Sequence, residues 1–134
     1  MLSLWIGWLF GLALAASVVT SGSAQGANEP SVKVIKELID RAQRTAGPGT
    51  QTDVSDEALR AFAIGEKAQT YDAMMSSLRF EKTIAQFQGK RYVFFSRTDE
   101  HPQLFGSIEL QIILWTDPDD RITSVLAKIF FHTI

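Results

Sequence analysis

Three aspartates lie within four residues of one another and could together bind a metal ion. Asp117, Asp119 and Asp120 offer carboxylate oxygens of the kind that Ca²⁺ binds. The EF-hand spacing, with its central glycine and terminal glutamate, is absent, and Pro118 in second position is typical of a type I turn. The sequence therefore predicts a turn at this point and no metal site.

The two histidines and the serines give no recognisable catalytic pattern. His101 follows two acidic residues and precedes a proline, as in a solvated loop, and His132 lies close to the C-terminal residue. Two histidines without a cysteine do not complete a usual zinc site, and no serine lies in a Gly-x-Ser-x-Gly elbow. We therefore predict no catalytic residue, no metal ligand and no cofactor, and a protein that is not an enzyme.

Charge and cysteine content restrict the possible partners further. The chain has 13 Lys and Arg against 15 Asp and Glu, a net charge of −2 with the two signs interleaved. Nucleic-acid binding needs a basic stripe, so no nucleic-acid partner is expected. The chain has no cysteine, which excludes both a lipidated cysteine and disulfides, so the fold must be held by packing.

The N-terminal segment has the features of an export signal. The first charged side chain is Glu29, and residues 4–20 are nearly all apolar. As a helix, they would span roughly 25 Å, less than the ~30 Å hydrocarbon core of a bilayer. Small residues precede a cleavage point after Ala24, so we expect residues 1–24 to be a signal peptide and the protein to be periplasmic or secreted. Because the usual positive n-region is missing, an uncleaved anchor formed by residues 4–20 is the alternative, and it is the only membrane contact expected.

Residues 25–30 are expected to be a linker, and residues 31–134 a single domain whose first half is helical. A first helix is predicted over 31–46, where one face collects the apolar residues Ile35, Leu38, Ile39 and Ala42. A second helix is predicted to be capped by Asp53 or Ser55 and to end at Gly65. Its predicted inner face consists of Leu59, Phe62 and Ala63. A third helix from Thr70 would bury Tyr71, Met74, Met75 and Leu78.

From residue 90 onward the apolar pattern changes to a period of two, which indicates strands at 91–97 and 107–116. The four residues 117–120 predict a type I turn and a four-residue hairpin loop that places Thr116 opposite Arg121. In that register Ile112 faces Val125, and Glu109 faces Lys128 on the other side of the sheet. The predicted architecture is therefore α+β, with two or three N-terminal helices packed on an antiparallel meander of at least three strands.

The second face of this sheet is not clearly polar. Ile113, Trp115 and Ile122, with Phe94 or Phe95, would lie on it. An exposed apolar patch of this kind usually marks a surface for a partner, so these residues are the predicted interaction surface. The alternative is that the first two helices, or a curled sheet, cover both faces.

The pattern of the C-terminal half resembles a known family. Thr70, Met74 and Leu78 on one helix, an aromatic strand at 92–95 and an Asp-rich turn before Arg121 resemble the Thr-x-x-x-Val-x-x-x-Leu helix and β-meander of the SmpA/OmlA (BamE-like) family, over residues 64–131. Arg79 stands where that family has a glycine. The resemblance implies a small α+β envelope protein, of a kind that often helps to assemble outer-membrane β-barrel proteins.

Two functions follow from this pattern as hypotheses. The first is an exported, non-enzymatic interaction or assembly module of the periplasm or envelope, which binds a protein partner through its sheet face or an edge strand. The second is a small-ligand-binding or enzymatic domain with a curved sheet of the nuclear-transport-factor-2-like kind. That alternative would place a pocket between the helices and the sheet.

Overall fold

The computed structural model of this protein describes residues 29–45 and 51–133, so the predicted signal peptide lies outside the described residues. The predicted α+β class is confirmed, with the long helix ahead of the strands. The helical elements are α1 (Glu29–Thr45), α2 (Ser55–Ala58), a 3₁₀ turn (Ala68–Tyr71) and α3 (Asp72–Ser77). The strands are β1 (Gln51–Asp53), β2 (Glu81–Phe87), β3 (Lys90–Glu100), β4 (Ser107–Thr116) and β5 (Ile122–His132).

The five strands form one antiparallel sheet in the order β1-β5-β4-β3-β2. Strands β2 to β5 follow each other as hairpins, so each one pairs with its neighbour in the sequence. The short β1 pairs instead with the free side of β5, where Thr52 lies opposite Ile129. The two edges of the sheet are therefore β1, with three residues, and β2, with seven.

The hydrophobic core lies between the helices and one face of the sheet. Helix α1 packs against β4, and α2 packs against β5. The predicted inner face of α1 is confirmed, because its four apolar residues are at most 8% exposed. On β4 burial alternates residue by residue, and the inward side chains are Ile108, Leu110, Ile112 and Leu114. None of the helices in residues 29–45 and 51–133 is long and apolar enough to cross a membrane.

The second helix is shorter than the sequence predicted. It is a single turn, after which the chain runs through turns, so helical spacing no longer decides which side chains point inward. Leu59 is 46% exposed and Ala63 is also exposed, and the prediction that they face inward is wrong. Phe62 is buried as predicted, together with Ala61. In the third helix, Tyr71, Met74 and Met75 are buried as predicted, and Leu78 packs against the core.

The hairpin between β4 and β5 contains the predicted type I turn but has a different register. The carbonyl of Asp117 accepts the N–H of Asp120 at 3.0 Å, as in a type I turn. Asp120 then adopts a positive φ of 66°, and the N–H of Asp117 donates to the carbonyl of Arg121 at 2.9 Å, so the loop has three residues rather than four. Ile112 lies opposite Ala127, which makes the predicted register wrong by two residues.

A β-bulge after Trp115 is a second difference between the predicted and the observed hairpin. Trp115 pairs with Ser124, whereas Thr116 pairs with Ile122, so Thr123 is an extra residue on β5. Because side chains alternate along a strand, this extra residue turns Ile122 toward the core, where it is 1% exposed. The assignment of Ile122 to an interaction surface is therefore corrected.

Candidate functional site

The candidate site is the outer face of the sheet, which we define as the face opposite the helices. Cross-strand pairing arranges its side chains in rows that run across the strands. Two neighbouring rows, hereafter the apolar rows, start at β2 and end at β5. The first consists of Ala85, Tyr92, Trp115 and Ser124, and the second of Thr83, Phe94, Ile113 and Leu126.

The apolar rows combine aromatic and aliphatic surface on adjacent strands. The rings of Tyr92 and Trp115 lie with their centroids 4.9 Å apart and are tilted by 57°. Next to them, Ile113 lies between Phe94 and Leu126, and Leu126 is 39% exposed. None of these large side chains is fully buried, although Phe, Ile and Leu are among the residue types most often found in cores. The outer face thus has a contiguous apolar patch.

An open depression of about 360 Å³ adjoins the first apolar row. Phe87, which is 58% exposed, and Trp115 supply its aromatic surface, while Lys90, Thr123 and Ser124 supply polar groups. The turn residue Gln88 and Thr116 complete the lining. Such a site suits a protruding apolar side chain, with hydrogen-bonding groups available at its margin.

The other end of the outer face is polar and centres on one carboxylate. Glu109 accepts hydrogen bonds from Ser96 Oγ at 2.6 Å and from Gln111 Nε2 at 2.9 Å. Its second oxygen lies 2.8 Å from His132 Nε2. We refer to these four residues as the Glu109 cluster. Three strands contribute to it, which ties β3, β4 and β5 together beside the apolar rows.

Electrostatics keeps this carboxylate ionised. Burial raises the pKa of Glu109, but the hydrogen bonds from Ser96, Gln111 and His132 lower it by more, so the pKa lies below its usual range. The cluster contains the residue types of a hydrolase triad, yet Ser96 donates to Glu109 and not to a histidine. The lowered pKa makes the Glu109 carboxylate a weak base, and the arrangement holds the strands together and presents a polar rim.

A Glu109→Gln variant tests the cluster. We expect it to lose about 1.5–3 kcal/mol at pH 7, the value of a hydrogen bond to a charged group, with roughly 4–8 °C in melting temperature for each kcal/mol. A depressed carboxyl pKa contributes stability above the unfolded pKa, and this contribution is lost as the pH falls through the folded value. The difference from wild type should therefore shrink below about pH 4. Thermal denaturation followed by circular dichroism at pH 7 and pH 3 measures both effects.

Glu100→Gln is the matched control, because Glu100 is an exposed acid on β3 outside the Glu109 cluster. It should change the melting temperature by less than about 2 °C at either pH. Equal losses in the two variants, or a loss at Glu109 that does not depend on pH, would show that the cluster does not stabilise the fold as described.

The structure places the three residues of the predicted interaction surface on two different faces of the sheet. Ile113 and Trp115 lie in the apolar rows, whereas Ile122 does not. Sequence reasoning did not find Tyr92 and Leu126 as members of the surface, although the aromatic run on β3 was a signal for the first. It also missed the Glu109 cluster, because the contacts of that cluster depend on the strand register.

The remaining candidate residues shape turns. Asp117 Oδ1 accepts the N–H groups of Asp119 and Arg121, both at 2.9 Å. His101 Nδ1 accepts two backbone N–H groups of its own loop at 3.0 Å, and its ring lies against Phe131. Within the part of the chain that the structure describes, no group of three or more His, Cys, Asp or Glu could hold a metal ion.

Comparison with known proteins adds no identification. No family model, no curated protein and no solved structure matches this chain. The resemblance to the SmpA/OmlA family, drawn from the helix and strand pattern, therefore stays a prediction.

Proposed function

We propose that this protein is an exported, non-enzymatic interaction module of the cell envelope that binds a protein partner with its outer face. The observation that carries the proposal is the contiguous patch formed by the apolar rows next to an open depression. Soluble proteins rarely expose such patches without a use for them. Export and envelope location rest on the N-terminal sequence pattern.

The composition of the outer face fits a protein-binding surface. Interface centres are enriched in aromatic residues, and Tyr92, Phe94 and Trp115 supply three on adjacent positions. Removing apolar surface from water contributes roughly 25 cal/mol per Å², so a few such side chains supply several kcal/mol. The Glu109 cluster and Lys128 then form the polar rim that surrounds an apolar interface centre.

The shape of the site defines the chemistry of the partner. The depression between Phe87 and Trp115 would receive one aromatic or branched aliphatic side chain. Further apolar side chains of the same partner would lie along the row of Phe94, Ile113 and Leu126. The partner is therefore expected to present an apolar surface with at least one protruding side chain.

The outer face is better supported as a site than the helix-facing side. On that side the inward residues of β4 from Ile108 to Leu114 are at most 2% exposed. The alternative of a small-ligand or enzymatic site between helices and sheet would need open space at these positions. The Glu109 cluster, on the outer face, pairs its serine with a carboxylate of lowered pKa and not with a histidine.

Site-specific photocrosslinking tests the proposal in cells that express the chain natively. With a photoreactive amino acid at Ile113, we expect a discrete adduct larger than the chain, formed with one protein that mass spectrometry can identify. The matched control places the same group at Leu104, which is 44% exposed in the loop before β4. Adding Trp115→Glu to the chain that carries the photoreactive amino acid at position 113 should abolish the adduct, because this change puts a charge on the wall of the depression.

Circular dichroism of the Trp115→Glu chain checks that it remains folded. Equal adducts at positions 113 and 104, or an adduct that survives Trp115→Glu in a folded chain, would refute binding by the outer face. An adduct with lipid in place of protein would redirect the proposal to a membrane surface.

A further inference from the structure

Strand β2 is an unusually open sheet edge. It runs for seven residues and pairs with β3 on one side, and no described strand lies on its other side. Its sequence contains no proline, and its pairing with β3 runs without a bulge from Glu81 to Phe87. A straight edge of this length is a template for the addition of another strand.

The hairpin geometry determines which backbone groups of β2 are free. The β2–β3 hairpin has a two-residue turn, so the closing pair, Phe87 and Lys90, exchanges hydrogen bonds. Hydrogen-bonded pairs then alternate along the strand, which turns the N–H and C=O groups of Lys82, Ile84 and Gln86 away from β3. The edge thus offers three donors and three acceptors in a regular row.

The usual protection of an edge is weak here. Proteins often place a lysine on an edge strand to prevent pairing, but Lys82 Nζ lies 2.7 Å from Asp72 Oδ2 and its charge is compensated. At the midpoint of the strand Ile84 is 51% exposed, although it is a β-branched apolar residue. The centre of the edge is therefore apolar and uncharged.

We propose that a second copy of this chain pairs antiparallel with β2, about a twofold axis at Ile84. In that register Ile84 lies opposite its own counterpart, and Lys82 lies opposite the partner subunit's Gln86. Like charges do not meet at any directly opposed position. An axis at Lys82 would oppose two lysines, and only the axis at Ile84 pairs all seven residues of the strand.

Such a pairing has a consequence for the outer face. A twofold axis perpendicular to the sheet places both outer faces on the same side of one ten-stranded sheet. The apolar rows of two copies would then face one direction, on either side of the new ladder. The dimer does not depend on the proposed function, since it uses the strand edge and not the outer face.

Single-cysteine crosslinking tests the pairing in the full-length chain. The protein has no cysteine, so Ile84→Cys introduces its only thiol. Residues opposed as a hydrogen-bonded pair have Cα atoms about 5.5 Å apart, within the range that a disulfide spans. We expect a disulfide-linked dimer on mild oxidation of intact cells. Ile64→Cys is the matched control, because Ile64 is 54% exposed and lies outside the sheet.

The register has its own test. Lys82→Cys and Gln86→Cys should each crosslink poorly when expressed singly, since neither lies opposite its own counterpart, and should crosslink when expressed together. Failure of folded Ile84→Cys to crosslink, or equal crosslinking at 84 and 64, overturns the proposal. Crosslinking of Lys82→Cys with itself overturns the register.

Charge exchange at the axis provides a second readout that requires no thiol. Differently tagged copies of the wild-type chain should co-purify, and those of Ile84→Lys should not, because two ammonium groups would meet at the axis. Ile64→Lys should leave co-purification unchanged. Mixing Ile84→Lys with Ile84→Glu should restore it, and absence of this rescue with both chains folded by circular dichroism would contradict a self-pairing at Ile84.

Discussion

Ile112→Asp is expected to unfold the protein. Ile112 is fully buried and lies between Phe95 on β3 and Ala127 on β5. Burying a carboxylate without a partner costs several kcal/mol, which is comparable to the 5–15 kcal/mol that holds a small domain together. We expect loss of the cooperative thermal transition in circular dichroism, or failure of the chain to accumulate.

Ile113→Asp is the control, since it makes the same chemical change one residue further along. Ile113 belongs to the apolar rows on the outer face and is partly exposed, so the new carboxylate keeps contact with water. This variant should remain folded with a modest decrease in melting temperature. The opposite order of the two variants would mean that the core face and the outer face have been exchanged.

Gly106→Ala should destabilise the protein more than Gly89→Ala. Gly106 has a φ of +139°, and a Cβ at this position would lie 2.5 Å from the carbonyl oxygen of His132 and 2.9 Å from the ring of Phe131. The carbonyl is backbone in the paired strand β5, so it cannot move without disturbing the sheet. Strained φ and overpacking together should cost about 2–5 kcal/mol. Chemical denaturation measures this loss directly.

Gly89→Ala separates the two causes. Gly89 also has a positive φ, of 78°, but a Cβ there would meet no atom within 4 Å. Its cost should be limited to the backbone term of about 1–2 kcal/mol. If both variants lost the same stability, the close approach of Gly106 to β5 would have no energetic weight.

The regular spacing of apolar residues was the feature of the sequence that predicted the structure best, and it arises where an element is buried on one side only. Helix α1 and strand β4 each have one face in the core and one outside, so their apolar residues recur with a clear period. For the same reason Ile113 and Trp115 were correctly expected on the face opposite Ile112. Alternation identifies the face of a residue even where the partner strand has been set in the wrong register.

The register itself could not be read from that alternation. The predicted and observed pairings differ by two residues, a displacement that leaves every side chain on the same face. The positive φ of Asp120 shortens the loop, and the bulge after Trp115 reverses the direction of Ile122. Both are local backbone choices that hydrophobic periodicity does not encode.

The edge strands were missed for a different reason. Six of the seven residues of β2 are exposed, so burial imposes no period on its sequence, and β1 has only three residues. The Glu109 cluster was equally hidden, because Ser96, Glu109 and His132 come from three strands and meet only in the observed register. Sites assembled across strands require the pairing before their members can be recognised.

The position of β1 has a consequence for the time course of folding. Strands β2 to β5 can pair one after another as each becomes available, since each neighbour follows directly in the sequence. β1 precedes all of them in the sequence, but Gln51 pairs with Phe130 in β5, which follows them. Closing so long a loop is entropically costly and slow. The strand that comes first in the sequence is thus completed last, and the sheet stays unfinished until β5 is in place.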